Sequence, residues 1–329
     1  MSDQFIGVDV GGTKIATATL QSGELGESAL VHTEQGSQDA LVEQLVSAIE
    51  DARGPDARAV GIGVPSVIEF ETGRIRSSVN IPLRDVPLRE LLSDRVALPV
   101  YVENDASCAA LAEAFDDGRL CPHLVMFTLG TGVGGGLVLN GRLYRGATGA
   151  AAEVGHTIVG LDLSDGAPQK AAEFPQPGSL EALASGRALD RLAEAAATEH
   201  PDSYLGRRRA DHGGVDGNDV VDGAQAGDSV AHHCLRVLGE RLGIGIANAI
   251  NTFDPLEVVI GGGVSRAGDL LLESARAAAF KHVVPGAGTR TTIRIARHGP
   301  RAGVLGAALI AAQEHAERTG GSLEAAVAG

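Results

Sequence analysis

The 329-residue chain has no tryptophan, two methionines and 3% aromatic residues. Its core must therefore be packed with Ala, Val, Leu and Ile. Recognition of a ligand by stacking on aromatic platforms is disfavoured, although a polyhydroxylated ligand held by hydrogen bonds is not. Cysteine is equally scarce. Cys108, Cys121 and Cys234 are odd in number and far apart, and no C-x-x-C pair occurs, which excludes a disulfide framework and a zinc site built on cysteine, and points to buried thiols in a reducing compartment. Positive charge is short as well. The net charge is −15 and the largest basic cluster is Arg207-Arg208-Arg209, so nucleic acid is a poor partner. The anionic excess serves solubility; phosphate groups would have to be bound by local backbone N–H groups and a metal. No apolar run approaches the ~18 residues of a membrane span, and Asp9 interrupts the short apolar run near the N-terminus, so neither a membrane segment nor a signal peptide is expected. A cytoplasmic location follows. What remains is 44% hydrophobic, enough for one large or two medium α/β domains with a substantial core.

The first pattern is Phe5–Val10, then Gly11-Gly12-Thr13-Lys14, then Ile15–Leu20. An apolar strand, a glycine turn and an alternating strand predict a β-hairpin, with Asp9 at the end of the buried strand. Glycine there permits positive φ and lets backbone N–H groups approach a ligand. The design recurs as Leu124–Leu129, Gly130-Thr-Gly-Val-Gly-Gly-Gly136 and Leu137–Leu143, which suggests two related halves. Two such turns could cradle a polyphosphate. Neither is a P-loop or a dinucleotide fingerprint, because a strand rather than a helix follows.

Between the two copies, Asp39–Arg53 has the period of an amphipathic helix, Ala59–Val64 reads as a strand ending at Pro65-Ser66, and Pro99–Glu103 as another strand. Asp105–Ala114 continues as a helix with Asn104 as N-cap. Asp105 thus falls in a first helical turn at the carboxyl end of a strand, where the macrodipole favours its anion and open α/β sheets place ligands.

The run Gly141–His156 holds four glycines and three consecutive alanines and has no regular period. A loop that sets Glu153 and His156 three residues apart points beyond packing. Downstream, 162–178 is polar, Leu180–Ala197 reads as one helix with Glu181 in its first turn, and 201–217 as an exposed loop. Asp228–Phe253 is a long helix, and Leu256–Ile260 a buried strand ending in Gly261-Gly262-Gly263, where a flat group can lie against backbone. Ala267–Phe280 is a helix, Thr291–Ala296 a strand and Ala302–Arg318 a small-residue helix, followed by a frayed tail.

Taken together, Asp9-Val-Gly-Gly-Thr-Lys14, Glu103-Asn-Asp105, Leu129-Gly-Thr-Gly-Val-Gly-Gly135, Glu153-Val-Gly-His156 and Ile260-Gly-Gly-Gly-Val264 resemble, in order and spacing, the ROK family of repressors and sugar kinases, from about Phe5 to about Gln313. The resemblance implies an α/β chain with the actin/hexokinase-like ATPase fold, two lobes around a central cleft. Residues 1–120 plus 301–329 would form a small lobe and 121–300 a large one. It implies ATP and Mg²⁺ as cofactors. Asp9, Gly11, Gly12, Thr13 and Lys14 would meet Gly130, Thr131, Gly132 and Gly134 around the phosphates, with Asp9 serving Mg²⁺ through water and Gly261–Gly263 beside the adenosine. Asn80, Asn104, Asp105, Glu153, His156 and Glu181, with Ser66 nearby, would hold the sugar, and Asp105 would be the catalytic base. With a reference pKa of about 3.9 it is expected to be ionised already.

The sequence departs from the family in three respects: Pro65-Ser66 stands where Pro-Gly is usual, an aromatic residue soon after Asn80 is absent, and the zinc cysteines are missing. The family's structural zinc uses the histidine of E-x-G-H and three cysteines, and those cysteine positions fall here on Ala172, Phe174 and Ser179. No zinc is expected, and packing must hold the loop 162–178. The resemblance thus implies a glucokinase-like hexose kinase acting on the 6-hydroxyl of glucose. Mannose, fructose or an N-acetylhexosamine are the alternative acceptors, and polyphosphate an alternative donor. A sugar-responsive regulator is disfavoured because eight residues precede Asp9, too few for a DNA-binding segment. The expected partners are a small-molecule sugar, a nucleotide and a second copy of the chain in a homodimer.

Overall fold

The computed structural model describes residues 2–328 apart from Val79 and Glu173. In chain order the elements that bear on function begin with strands β1 (Gln4–Val10), β2 (Lys14–Gln21), β3 (Ala57–Val64) and β4 (Val100–Asn104). Helix α1 (Asp105–Ala114) and strands β5 (His123–Leu129) and β6 (Val133–Leu139) follow. Then come α2 (Leu180–Ala184), α3 (Gly186–Glu199), α4 (Ser229–Phe253), β7 (Glu257–Gly261), α5 (Asp269–His282), β8 (Thr292–Ile295) and α6 (Ala302–Thr319). Two compact units result. One comprises the chain up to Pro122, Gly136–Ala152 and the chain from Arg297; the other comprises His123–Gly135 and Glu153–Ala296. The backbone passes between them within β6 and again after Ala152, so their segments interleave more finely than one division near residues 120 and 300.

In the first unit β1 and β2 form the expected antiparallel hairpin, closing at Val10↔Ile15. β1 runs parallel to β3 and β3 to β4. Ile6, Val8, Val10, Ile62, Val64 and Val102 are fully buried in its core. The Ala- and Gly-rich α6 lies on this sheet at backbone distance. A Cβ on Gly61 would fall 1.8 Å from the Ala307 carbonyl oxygen, and one on Gly7 2.2 Å from that of Val304. This is how a chain short of aromatics closes a dense core: the elements approach until small residues fill the space that large rings would otherwise take. Beyond β3, Ser66–Glu69, Arg74–Ser78 and Arg84–Val86 make a three-stranded antiparallel sheet, of which only the turn at Thr72-Gly73 is expected from sequence.

In the second unit β5, β7 and β8 are parallel neighbours, covered by the paired helices α4 and α5; Gly243 of α4 lies against the backbone of Ala275 and Ala279.

Four local expectations are corrected. The second glycine-rich turn is short. Strand β6 starts at Val133 and stops at Leu139, where Asn140 and Gly141 (φ 53° and 75°) turn the chain; an Asn-Gly pair is a strong hairpin signal, and the Val138↔Leu143 pairing follows it. The helix read over 180–197 breaks at Ser185, which is extended and caps α3. The polar stretch after Pro201 contains a helix, Tyr204–His212, capped by the Ser203 hydroxyl and ended by Gly213; its arginines masked the apolar period. The tail is not frayed, since Leu323–Ala328 is helical with Leu323 and Val327 buried. Among the described residues no helix is long and apolar enough to cross a membrane.

Candidate functional site

The first unit gathers the expected acidic residues. Asp9 ends β1 beside the hairpin turn. Its carboxylate is walled by glycine: a Cβ on Gly303 would lie 2.3 Å from Oδ2, and one on Gly63 3.7 Å from Oδ1. Burial, and then the charge of Asp105, push the Asp9 pKa up to about 6. In the turn the carbonyls are occupied. Gly11 O accepts from the Thr33 hydroxyl at 2.7 Å and Gly12 O from Gln35 Nε2 at 2.5 Å. The Gly12 and Thr13 amides have no partner among the described residues, which leaves donors facing whatever anion approaches. Neither Gly11 nor Gly12 takes a left-handed φ. Space is tight at 12, where a Cβ would come 3.1 Å from Asn80 Cβ. Asn80 is thereby set beside the turn, while Lys14 opens β2 with an exposed side chain.

At the end of β4, Asn104 caps α1 as expected, its Oδ1 accepting from Ala106 and Ser107 at 2.9 and 3.3 Å. Only its Nδ2 is then left for a ligand. Asp105 Oδ1 accepts from the Ala106 amide at 2.8 Å, which favours the anion, but burial outweighs it and raises the Asp105 pKa. The ordinary value expected from the sequence does not hold, because desolvation disfavours the charged form. Ser66 opens the strand after β3; its hydroxyl is buried with no hydrogen-bond partner among the described residues, a polar group that a ligand would satisfy.

Sequence reasoning missed the support beneath these residues. Glu103 is 4% exposed. One of its oxygens accepts from the Asn104 amide at 2.9 Å and the other from Arg145 Nε at 2.6 Å. Arg145 also reaches Glu314 at 2.9 Å and stacks with its guanidinium 3.4 Å from the Phe70 ring centroid. Glu103 stood in the quoted motif, but no local pattern pointed to Arg145, Phe70 or Glu314.

In the second unit the turn after β5 is pinned at both ends. Gly130 O accepts from the Gly186 amide at 2.8 Å, at the break between α2 and α3, and the Val133 amide donates to Glu181 Oε2 at 2.8 Å. Thr131 and Gly132 amides have no partner among the described residues, and Gly134 follows within β6. Glu153 and His156 flank a 3₁₀ turn, both exposed, with His156 Nε2 3.7 Å from Glu153 Oε2. The glycine between them packs on the phosphate-type turn: a Cβ on Gly155 would lie 2.1 Å from the Val133 carbonyl oxygen. Thus the E-V-G-H motif is docked on the glycine turn rather than merely near it in sequence. After β7, Gly262 takes φ 83° against Leu129, while a Cβ on Gly263 would meet nothing within 4 Å. Gly261 and Gly262 are packed, a Cβ on Gly261 falling 2.7 Å from the Met126 methyl, so Gly263 alone of the three is open.

The surroundings of His156 do not fit zinc. Of the three positions where thiolates would be needed, Phe174 packs its ring edge-on against the imidazole at 5.6 Å and Ser179 caps α2; Ala172 offers no donor. The described residues contain no group of three or more His, Cys, Asp or Glu able to hold a metal ion. The loop is closed by backbone instead. Ile158 bridges Ser179, Val159 and Gly160 both donate to Gly178 O, and Gln176 makes two hydrogen bonds with the backbone of Ala171. Magnesium sets a different demand, since it is held by one or two carboxylates together with substrate phosphates, and Asp9 beside unpaired turn amides fits that.

Comparison with known proteins agrees with this geometry. The family model described as the ROK family matches residues 5–314. A glucokinase of Halalkalibacterium halodurans is 37% identical over 98% of this chain and 100% of its own length. A glucokinase of Streptomyces coelicolor is 36% identical over 93% of this chain and 96% of its own. The crystal structure of a ROK family glucokinase from Streptomyces griseus in complex with glucose and AMPPNP, 35% identical, covers 94% of this chain and 99% of that one with a TM-score of 0.73.

Proposed function

The chain belongs to the ROK family and has its actin/hexokinase-like ATPase fold, and on that premise we propose that it is a glucokinase, transferring the γ-phosphoryl group of ATP to the 6-hydroxyl of glucose. The observation that carries the reading is a pair of half-buried carboxylates, Asp9 near the end of β1 and Asp105 just after β4, with Asp9 beside a turn whose Gly12 and Thr13 amides have no partner among the described residues. Asp105 accepts the proton of the sugar hydroxyl as its oxygen attacks phosphorus. Its raised pKa suits it better to taking a proton near neutrality than an ordinary carboxylate would be. Asp9 would hold Mg²⁺. When bound, the ion neutralises charge on the phosphates.

The chain's own groups do the rest by position. Gly11, Gly12, Thr13 and Lys14, and Gly130, Thr131, Gly132 and Gly134, serve the phosphates. Gly261–Gly263 take the adenosine. Ser66, Asn80 and the Asn104 amide, with Glu153, His156 and Glu181, hold the sugar hydroxyls. His156, with Phe174 against it rather than thiolates, serves the sugar and not zinc. The three cysteines form no disulfide with one another, which supports a cytoplasmic setting. A homodimer is proposed on family grounds, and light scattering tests it.

The deciding experiment is a coupled ADP-release assay with Mg-ATP against a panel of hexoses and N-acetylhexosamines. Glucose is expected to give the highest kcat/KM. A higher value for mannose, fructose or an N-acetylhexosamine would reassign the acceptor, turnover with polyphosphate alone would reassign the donor, and silence throughout would overturn the reading.

A further inference from the structure

Glu181 is expected to be a sugar ligand, yet its single hydrogen bond among the described residues goes to the glycine turn, where Oε2 accepts from the Val133 amide at 2.8 Å. The turn is cut away to admit it. A Cβ on Gly132 would lie 2.3 Å from that same oxygen and 3.6 Å from Oε1, so no other residue at 132 leaves the carboxylate in place. The segment carrying Glu181 is fixed in turn. The Ser179 hydroxyl caps α2 by accepting from Ala182 at 3.2 Å, and the break at Ser185 delivers the Gly186 amide to Gly130 O. Residues 179–186 therefore grip the turn at both ends, Gly130 through Gly186 and Val133 through Glu181, and the unpartnered Thr131 and Gly132 amides lie between the two grips. Oε1 makes no hydrogen bond among the described residues.

We propose that Glu181 is a positioning residue for the nucleotide phosphates as well as a sugar ligand, with Oε2 fixing the turn and Oε1 receiving the sugar hydroxyl. This rests on the kinase reading above. A hydroxyl donating to Oε1 orients the carboxylate and, through it, the Val133 amide; a polyphosphate on the turn orders the same side chain from the other side. Sugar and nucleotide thereby raise each other's affinity, and by linkage each does so by the same factor.

Calorimetric titration with a non-hydrolysable ATP analogue and Mg²⁺, with and without saturating glucose, tests this. Glucose is expected to tighten analogue binding to the unaltered protein by about fivefold or more. Glu181→Ala is expected to weaken analogue binding by about tenfold with no sugar present, as loss of a hydrogen bond to a charged group does, and to bring the coupling factor to about one. Glu181→Gln keeps an oxygen that accepts from Val133 and is expected to hold analogue affinity within about twofold while glucose affinity falls. If the alanine variant does not fold, Glu181→Asp, too short to reach the amide, is expected to show the same loss. Undiminished analogue affinity in Glu181→Ala or Glu181→Asp, or an equal loss in Glu181→Gln, would overturn the proposal and leave the kinase reading intact. An unaltered protein that binds neither analogue nor glucose would overturn both.

Discussion

The Asp105 carboxylate bears directly on Asp9: its negative charge adds to burial in raising the Asp9 pKa to about 6. Asp9 must be anionic to attract a cation and Asp105 to accept a proton, so turnover is expected to fall as pH drops through about 6. A kcat/KM profile from about pH 4.5 to 8 checks this. A profile flat down to its acid end would show that neither carboxylate titrates in the free enzyme as the geometry requires.

The same shift makes Asp9 a cost to the fold. A carboxyl whose native pKa lies above its unfolded value of 3.8 binds its proton more tightly when folded. Its contribution is therefore present at low pH and is lost as pH rises from about 4 to about 6. Asp9→Asn is expected to raise unfolding free energy at pH 7 by on the order of 1–3 kcal/mol, from roughly 1.4 kcal/mol per pK unit, while abolishing turnover. Urea denaturation at pH 7 and pH 4 checks the sign, and the gain should vanish at the lower pH.

Asp105→Asn keeps shape and loses the base. A fall in kcat of about 10²–10⁴ is expected with glucose affinity little changed. If calorimetry showed glucose binding lost instead, Asp105 would be holding the site together rather than taking the proton.

Arg145 balances a nearly inaccessible carboxylate. Arg145→Ala leaves Glu103 buried without its cation and is expected to cost about 3–5 kcal/mol of stability. Adding Glu103→Gln should recover part of that loss, and equal stability of the single and double variants would disprove the dependence. Chemical denaturation reads both.

Elemental analysis of the purified protein is expected to find no stoichiometric zinc, and a chelator to leave the melting temperature unchanged. One zinc per chain would mean that the Phe174 ring does not hold the place opposite His156.

The parts of this molecule legible in the sequence are those whose causes are local. The β1–β2 hairpin, the Asn104 cap and Asp105 one residue later each follow from spacing and propensity within a few positions. What escaped depends on distance along the chain. Glu103 and Arg145 are 42 positions apart, Arg145 and Glu314 169, and Val133 and Glu181 48, and no period or cap announces such a pairing. The carboxyl pKa values escaped for a related reason, because burial belongs to the fold and not to the residue. The glycines of the two turns were legible as glycines, but for the wrong cause. Their φ angles are ordinary, and what they supply is room for Asn80 and Glu181.

Helix α6 seals the first unit by lying on Gly7 and Gly61 at distances that admit no side chain. During synthesis those two faces wait, uncovered, until residues past 304 emerge. Both segments of the second unit, His123–Gly135 and Glu153–Ala296, precede them in the chain. The first unit is thus started first and completed last. A chain that stops short of Ala302 lacks the helix that covers Gly7 and Gly61 and leaves that face of the sheet open.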